Sequence, residues 1–158
     1  MIHWTQWQTD FGTLIAVATD GALSGLYRQG QKYQPVIDER WQESPELPLF
    51  ADVKQQFNEY QQGQRTQFEL PLAPQGTDFQ RDVWQALCKI PYGSIQQYGQ
   101  LAASIGKPTA ARAVAAAIGR NPLLILVPCH RVVGANGSLT GFAAGLETKA
   151  KLLALETP

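Results

Sequence analysis

The sequence predicts an α/β (α+β) protein in two parts. A small N-terminal sheet with a helix, residues 1–76, packs on a mainly helical C-terminal domain, residues 77–158, that contains a helix-turn-helix. Three observations predict this. Two β-rich runs flank a turn dipeptide in the first part. Apolar residues recur at spacings of three and four in the second. Between them the segment LPLAPQGTDFQ, with Pro71, Pro74 and Gly76, interrupts both patterns and places the boundary near residues 70–77.

The elements follow in order. Residues 13–19 (TLIAVAT) are rich in β-formers and read as a strand. Asp20-Gly21 is a hairpin turn signal, and residues 22–28 (ALSGLYR) return as a second strand. Residues 29–47 are polar and carry Pro35 and Pro45, with Pro48 following, which predicts a loop. Residues 49–60 place apolar side chains at 49/50, 53, 57 and 60, a helical period. Thr77 or Asp78 caps a helix reaching about Lys89, with Phe79, Val83, Leu87 and Ile90 on one side. Pro91-Tyr92-Gly93 stops it. A second helix is expected from about Tyr98 to Gly106, and a third from Pro108 or Thr109 to Ile118 or Gly119, closed by Asn121-Pro122. Two short helices about a tight turn are a helix-turn-helix pattern, although many helical domains contain one. Residues 123–127 (LLILV) read as a buried strand or extended segment, residues 134–145 as a Gly-rich loop, and residues 147–156 as a closing helix.

Composition narrows the class. Apolar residues make up 44%, enough for a sizeable core, and no run approaches the 18 or so needed to span a membrane. The start, MIHWTQWQTD, has neither the basic residues nor the apolar run of a secretory signal, so a cytoplasmic protein is expected. The net charge is zero but uneven. Residues 1–77 hold five Lys/Arg against nine Asp/Glu, and residues 78–158 hold eight against four. The positive part is also the part that carries the motifs below. Two cysteines, Cys88 and Cys129, are read as free thiols of a reducing compartment.

Cys129 ends the buried run in Pro128-Cys129-His130-Arg131, where a thiol can be held rigidly and half exposed. A cysteine attacks only as thiolate and needs a base or a positive field. His130 is adjacent, but an adjacent Cys-His pair taken alone more often reflects ordinary packing. Glycines at 134, 137, 141 and 145 suit a loop approached closely by a ligand. Glu156 projects near Leu152 and Leu153 on the last helix, so its carboxylate is expected to be buried and to need a partner. His130 is the natural one, which assembles a Cys-His-acid set. On the third helix, Ala110, Val114 and Ile118 form an inward stripe, with Arg112 opposite among alanines. Either this smooth face approaches a nucleic-acid groove with Arg112 as a probe, or it is an Ala-rich helix with an ordinary solvated arginine.

Pro128-Cys129-His130-Arg131-Val132-Val133 resembles the active-site signature of the O6-alkylguanine-DNA alkyltransferases, the methylated-DNA–protein-cysteine methyltransferases. The likeness continues through Tyr98-Gly99-Gln100-Leu101-Ala102, Ala110-Ala111-Arg112-Ala113-Val114, Gly119-Arg120-Asn121-Pro122, Asn136 to Gly141 and Gly145-Leu146-Glu147. It covers residues 78–156. The resemblance implies DNA repair by a single-turnover enzyme that needs no cofactor or metal. Cys129 takes an alkyl group from O6 of guanine, His130 deprotonates it by way of a water, and Glu156 orients His130. Tyr98 donates to guanine N3, and Asn121 joins the recognition helix to the active-site segment. Arg112 enters the base stack when the nucleotide flips, with Thr109, Ala110, Ala111 and Ala113 against the minor groove of double-stranded DNA. Val132, Phe142, Ala143 and Leu124 line the base and alkyl pocket. A monomer is expected.

The chain departs from the family at Phe142-Ala143, where Tyr followed by Ser or Ala is common, and at Leu124, where some relatives have proline. A zinc site found in some relatives has only His3 here. Cys88 is expected to be buried packing rather than a second acceptor. Three other readings are a Cys-His-Glu hydrolase, a recognition module that binds alkylguanine without repair, and a helix-turn-helix repressor. The first leaves Arg112 and Tyr98 unexplained, the second has no need of Cys129, and the third lacks an evident dimerisation segment.

Overall fold

The hairpin expected at Asp20-Gly21 is the middle of a larger sheet. A computed structural model describes residues 1–157. Its four-stranded sheet comprises β1 (Ile2–Thr9), β2 (Gly12–Thr19), β3 (Ala22–Arg28) and β4 (Gln42–Glu43), in the order β3-β2-β1-β4. β1, β2 and β3 are antiparallel, whereas β4 runs parallel to β1. Asp20 and Gly21 both take positive φ, as a tight Asp-Gly hairpin turn demands. β1 and β4 lie outside the strands read from sequence. In β1 the apolar Ile2, Trp4 and Trp7 do not alternate, and a buried Thr5 stands on the inner face. β4 is two exposed polar residues in the segment expected to be loop.

Helix α1 (Pro48–Gln61) begins with its proline in the first turn, where no donor is needed. It buries Phe50, Val53, Phe57 and Tyr60 at helical spacing. Trp7 and Phe11 meet the Phe57 ring edge-on at 6.2 and 6.0 Å, which fastens the helix to the sheet.

The C-terminal half hangs on the edge strand β3. Leu23 N donates to Pro71 O and Ala73 N donates to Leu23 O, at 2.8 and 2.7 Å. Further along, Leu26 N donates to Pro122 O at 2.8 Å and Leu124 N donates to Leu26 O at 3.0 Å. The segment leading up to the boundary and one segment of the second half thus cover an edge that would otherwise be open. Helix α2 (Asp78–Leu87) starts in a capping box: Gln80 N donates to Thr77 Oγ1, and Thr77 N donates to Gln80 Oε1. The two-residue strand β5 (Gln96–Gln97) leads into α3 (Tyr98–Ser104), and α4 (Ala111–Gly119) follows. Trp84 Nε1 donates to Ala117 O at 2.9 Å and locks α2 on α4.

Residues 123–127 are buried as expected but are not a strand. The chain folds back at Ile125, which takes a φ of 71°, with Leu126 N donating to Leu124 O and Val127 N to Leu123 O. A left-handed β-branched residue is costly and persists where its surroundings fix it. Cys129–Arg131 then form one 3₁₀ turn, β6 (Val132–Val133) pairs in parallel with β5, and α5 (Leu146–Glu156) closes the described chain. Among the described residues, no helix is long and apolar enough to cross a membrane.

Candidate active site

Cys129 opens the 3₁₀ turn, and its side of the fold is closed rather than half open: the residue is 6% exposed. The correction has a geometric cause. The fold-back at Ile125 tucks the cysteine under α4, so Ile118, Leu124, Phe142 and Ala143, with Gln31 from the other half, leave a pocket of only about 10 Å³ above it. Burial pushes the Cys129 thiol up to about 11, although a hydrogen bond from Asn121 and the nearby Lys149 charge pull the other way. Asn121 does more than join two segments. Its Nδ2 lies 3.2 Å from Cys129 Sγ, 2.9 Å from Val127 O and 3.3 Å from Leu123 O, while Oδ1 accepts from Leu123 N at 2.9 Å. One buried amide therefore ties the fold-back to the sulfur.

His130 is fully buried, and its Nε2 lies 2.7 Å from Glu156 Oε2, the partner expected for this carboxylate. An ionised carboxylate only accepts, so Nε2 carries the proton and Nδ1 holds the free lone pair. Nδ1 is buried and meets no protein partner. Burial lowers the basicity of His130, and Glu156 offsets part of that. Glu156 has further partners. Arg131 grips it with the Nε–Nη2 edge of its guanidinium, Nε to Oε1 at 2.7 Å and Nη2 to Oε2 at 3.0 Å, and donates Nη1 to Ile90 O at 2.7 Å. Tyr60 of α1 donates its hydroxyl to Oε2 at 2.5 Å. Burial alone would raise the Glu156 carboxyl. The hydrogen bonds from His130, Arg131 and Tyr60, with the attraction of His130, instead hold it at about 2.

In front of this buried set lies an open groove of about 920 Å³, bordered by Tyr98, α4, Arg120 and residues 140–143. Phe142 and Ala143 line both groove and pocket, Leu124 lines the inner pocket, and Val132 is fully buried behind them in β6. Tyr98 is half-buried, and its hydroxyl accepts from Thr140 Oγ1 at 2.9 Å. Lys149, 1% exposed, donates Nζ to Thr140 O at 3.1 Å. Arg112, Ala113 and Thr109 are exposed along one side of α4 and its entry, Ala110 and Ala111 are half-buried, and Val114, Ala117 and Ile118 face inward.

Two family profiles match the chain. The DNA binding domain of 6-O-methylguanine DNA methyltransferase matches residues 78–158, and the ribonuclease-like domain of the same proteins matches residues 2–74. The chain belongs to the 6-O-methylguanine DNA methyltransferase family. A methylated-DNA–protein-cysteine methyltransferase of Mycolicibacterium paratuberculosis is 44% identical over 99% of this chain and 93% of its own length. One from Methanosarcina acetivorans is 40% identical over 98% of each. The crystal structure of Mycobacterium tuberculosis OGT in complex with DNA superposes with a TM-score of 0.89 at 42% identity, covering 98% of this chain and 92% of that one.

Three residues of this methyltransferase family member lie at the site without having been singled out by sequence: Tyr60, Arg131 and Lys149. Lys149 was readable in principle, because it stands seven residues before Glu156 and so shares the inner face of α5 with it and Leu152. Tyr60 looked like one more apolar position of α1, and nothing local in the sequence says what its hydroxyl meets. The burial expected of Cys88 is overturned. It is exposed at the end of α2, because Leu87 and Ile90 take the inward positions around it.

Proposed function

We propose that the protein repairs DNA by moving an alkyl group from O6 of guanine irreversibly onto Cys129. The observation that carries the assignment is the pair of buried contacts Asn121–Cys129 and His130–Glu156, with Cys129 lining a small pocket that shares Phe142 and Ala143 with the open groove. A thiol held at about 11 is almost wholly protonated near neutrality, so attack needs a base at hand. His130 Nδ1 takes the Sγ proton by way of a water, and the Glu156 carboxylate stabilises the imidazolium that results. Sγ then bonds to the alkyl carbon, the carbon–O6 bond breaks, and its electron pair stays on the guanine oxygen. Tyr98 donates to N3 of the leaving base. The product is a thioether, and the chain carries no chemistry to reverse it, so each molecule acts once.

Cys129 lies buried under a pocket of about 10 Å³ beside the groove, so a base stacked in a duplex cannot reach it. The nucleotide is flipped, and Arg112 fills the gap it leaves. α3 and α4 act as a helix-turn-helix that lays Thr109, Ala110, Ala111 and Ala113 along the minor groove, where small side chains permit close approach. Val132, Phe142, Ala143 and Leu124 surround the flipped base and its alkyl group. The protein works as a cytoplasmic monomer in two domains divided at residues 76 and 77.

The test is intact mass after mixing with excess duplex containing one O6-methylguanine. A gain of about 14 Da per chain is expected, one methylene equivalent on the thiol, mapped to Cys129 and not to Cys88, and absent in Cys129→Ser. Tight binding with no gain would make the protein a recognition module.

A further inference from the structure

We infer that Tyr60, on α1 in the N-terminal half, is a positioning residue for alkyl transfer, acting on Cys129 through Glu156 and His130. The inference rests on the proton relay proposed above. It starts from a fully buried tyrosine whose hydroxyl ends 2.5 Å from Glu156 Oε2. Phenylalanine would fill the same space in α1 without a buried polar atom, so packing does not explain the hydroxyl. The ring is held on three sides, with Phe68, Phe57 and Tyr92 centroids at 5.4, 6.2 and 6.3 Å. The direction of the O–H is therefore set by rings of both halves, Phe57 and Phe68 from the first and Tyr92 from the second.

Glu156 Oε2 is the oxygen that matters, because His130 Nε2 and Arg131 Nη2 also meet it. The titratable and charged groups facing this carboxylate are Tyr60 from α1 and His130 and Arg131 from the 3₁₀ turn; beyond them Tyr92 packs on the Tyr60 ring, and the Lys149 charge on α5 bears on His130. Burial and the adjacent carboxylate push the Tyr60 phenol far above its ordinary range, so it stays a donor at every working pH. A donor on Oε2 draws off part of the charge that His130 would otherwise see, and it fixes the plane of the carboxylate. Losing it frees the carboxylate to turn and leaves more charge on the oxygen facing His130. The imidazole proton is then held more tightly, and the base is in its neutral, working form only at higher pH.

The experiment measures single-turnover methyl transfer from O6-methylguanine duplex against pH for wild type, Tyr60→Phe, His130→Gln and the double variant. Circular dichroism verifies folding. Tyr60→Phe is expected to slow transfer at pH 7 about tenfold, the scale of one hydrogen bond to a charged group, and to move the acid limb of the profile to higher pH. In the His130→Gln background the same change is expected to do nothing further, because both act on one path. 3-Fluorotyrosine at position 60 keeps the packing and strengthens the donor, so it moves the acid limb to lower pH. It decides the matter even where Tyr60→Phe folds poorly. A Tyr60→Phe rate within about twofold of wild type with a superimposable profile, additive losses in the double variant, or an unmoved limb with fluorotyrosine would overturn the inference. Wild-type behaviour of His130→Gln would instead remove the relay itself.

Discussion

Glu156 collects four hydrogen bonds from three side chains, and its acid behaviour reaches beyond catalysis. The carboxyl lies at about 2 in the fold against an ordinary 4.5, so its stabilising contribution is complete above 4.5 and is lost as pH falls toward 2. His130 adds to this from higher pH. Its folded value is lowered by burial, so below the ordinary 6.5 the unfolded chain binds the proton more readily and stability falls with it. Both shifts act in one direction. The urea midpoint is expected to decline from about pH 6.5 downward and more steeply below about pH 4.5, the unshifted values of the two groups. His130→Gln should flatten the first part of that decline and lessen the second, because His130 is one of the groups that hold Glu156 low. A midpoint that is level between pH 7 and 5 in the wild type would contradict this account of His130.

At the scale of the element, α4 separates two jobs by face. Val114, Ala117 and Ile118 hold it to α2 and the core, while Arg112 stands exposed on its second residue. Arg112→Ala should therefore leave the melting temperature unchanged and slow repair of O6-methylguanine in duplex by about tenfold or more, since the cost falls on unstacking. Reaction with free O6-benzylguanine, which needs no flipping, should change by less than about twofold. Equal losses on both substrates would place Arg112 in the chemistry instead. The same helices explain what could be read without coordinates. α1, α2, α3 and α5 are encoded locally, α2 with its capping box, within one or two residues of the observed ends. α4 begins at Ala111, two residues inside the expected start, because its entry runs through a turn over residues 107–110. β1 was hidden because a strand fixed by cross-strand pairing needs no alternation of its own. At the site, Cys129, His130 and Glu156 were legible through motif and periodicity. Tyr60 was not, because the contact that gives it meaning spans 96 residues.

At the scale of the whole molecule, the pocket over Cys129, between the two halves, measures only about 10 Å³. That is close to the space of one water molecule, so a methyl group nearly fills it and a benzyl group must displace Gln31, Phe142 or Ala143. Alkylation also exchanges a thiol for a thioether beside Asn121 Nδ2, which removes the S–H donor and adds bulk at that 3.2 Å contact. The melting temperature is expected to fall in the order unmodified, methylated, benzylated. Overpacking of about 1–3 kcal/mol lowers it by about 2–4 °C for each kcal/mol at this chain length. Calorimetry on the three forms checks the order, and a benzylated form as stable as the unmodified one would show that the pocket yields without cost. The two halves also meet in an order that matters while the chain is being made. β3 is synthesised roughly a hundred residues before the Pro122 and Leu124 backbone that docks on it, and Tyr60 waits for Glu156. A ribosome-bound chain already carrying Cys129 still lacks the carboxylate that orients its base. On the proposed mechanism, the thiol of a protein that can react only once is thus kept without its relay until Glu156 has been added.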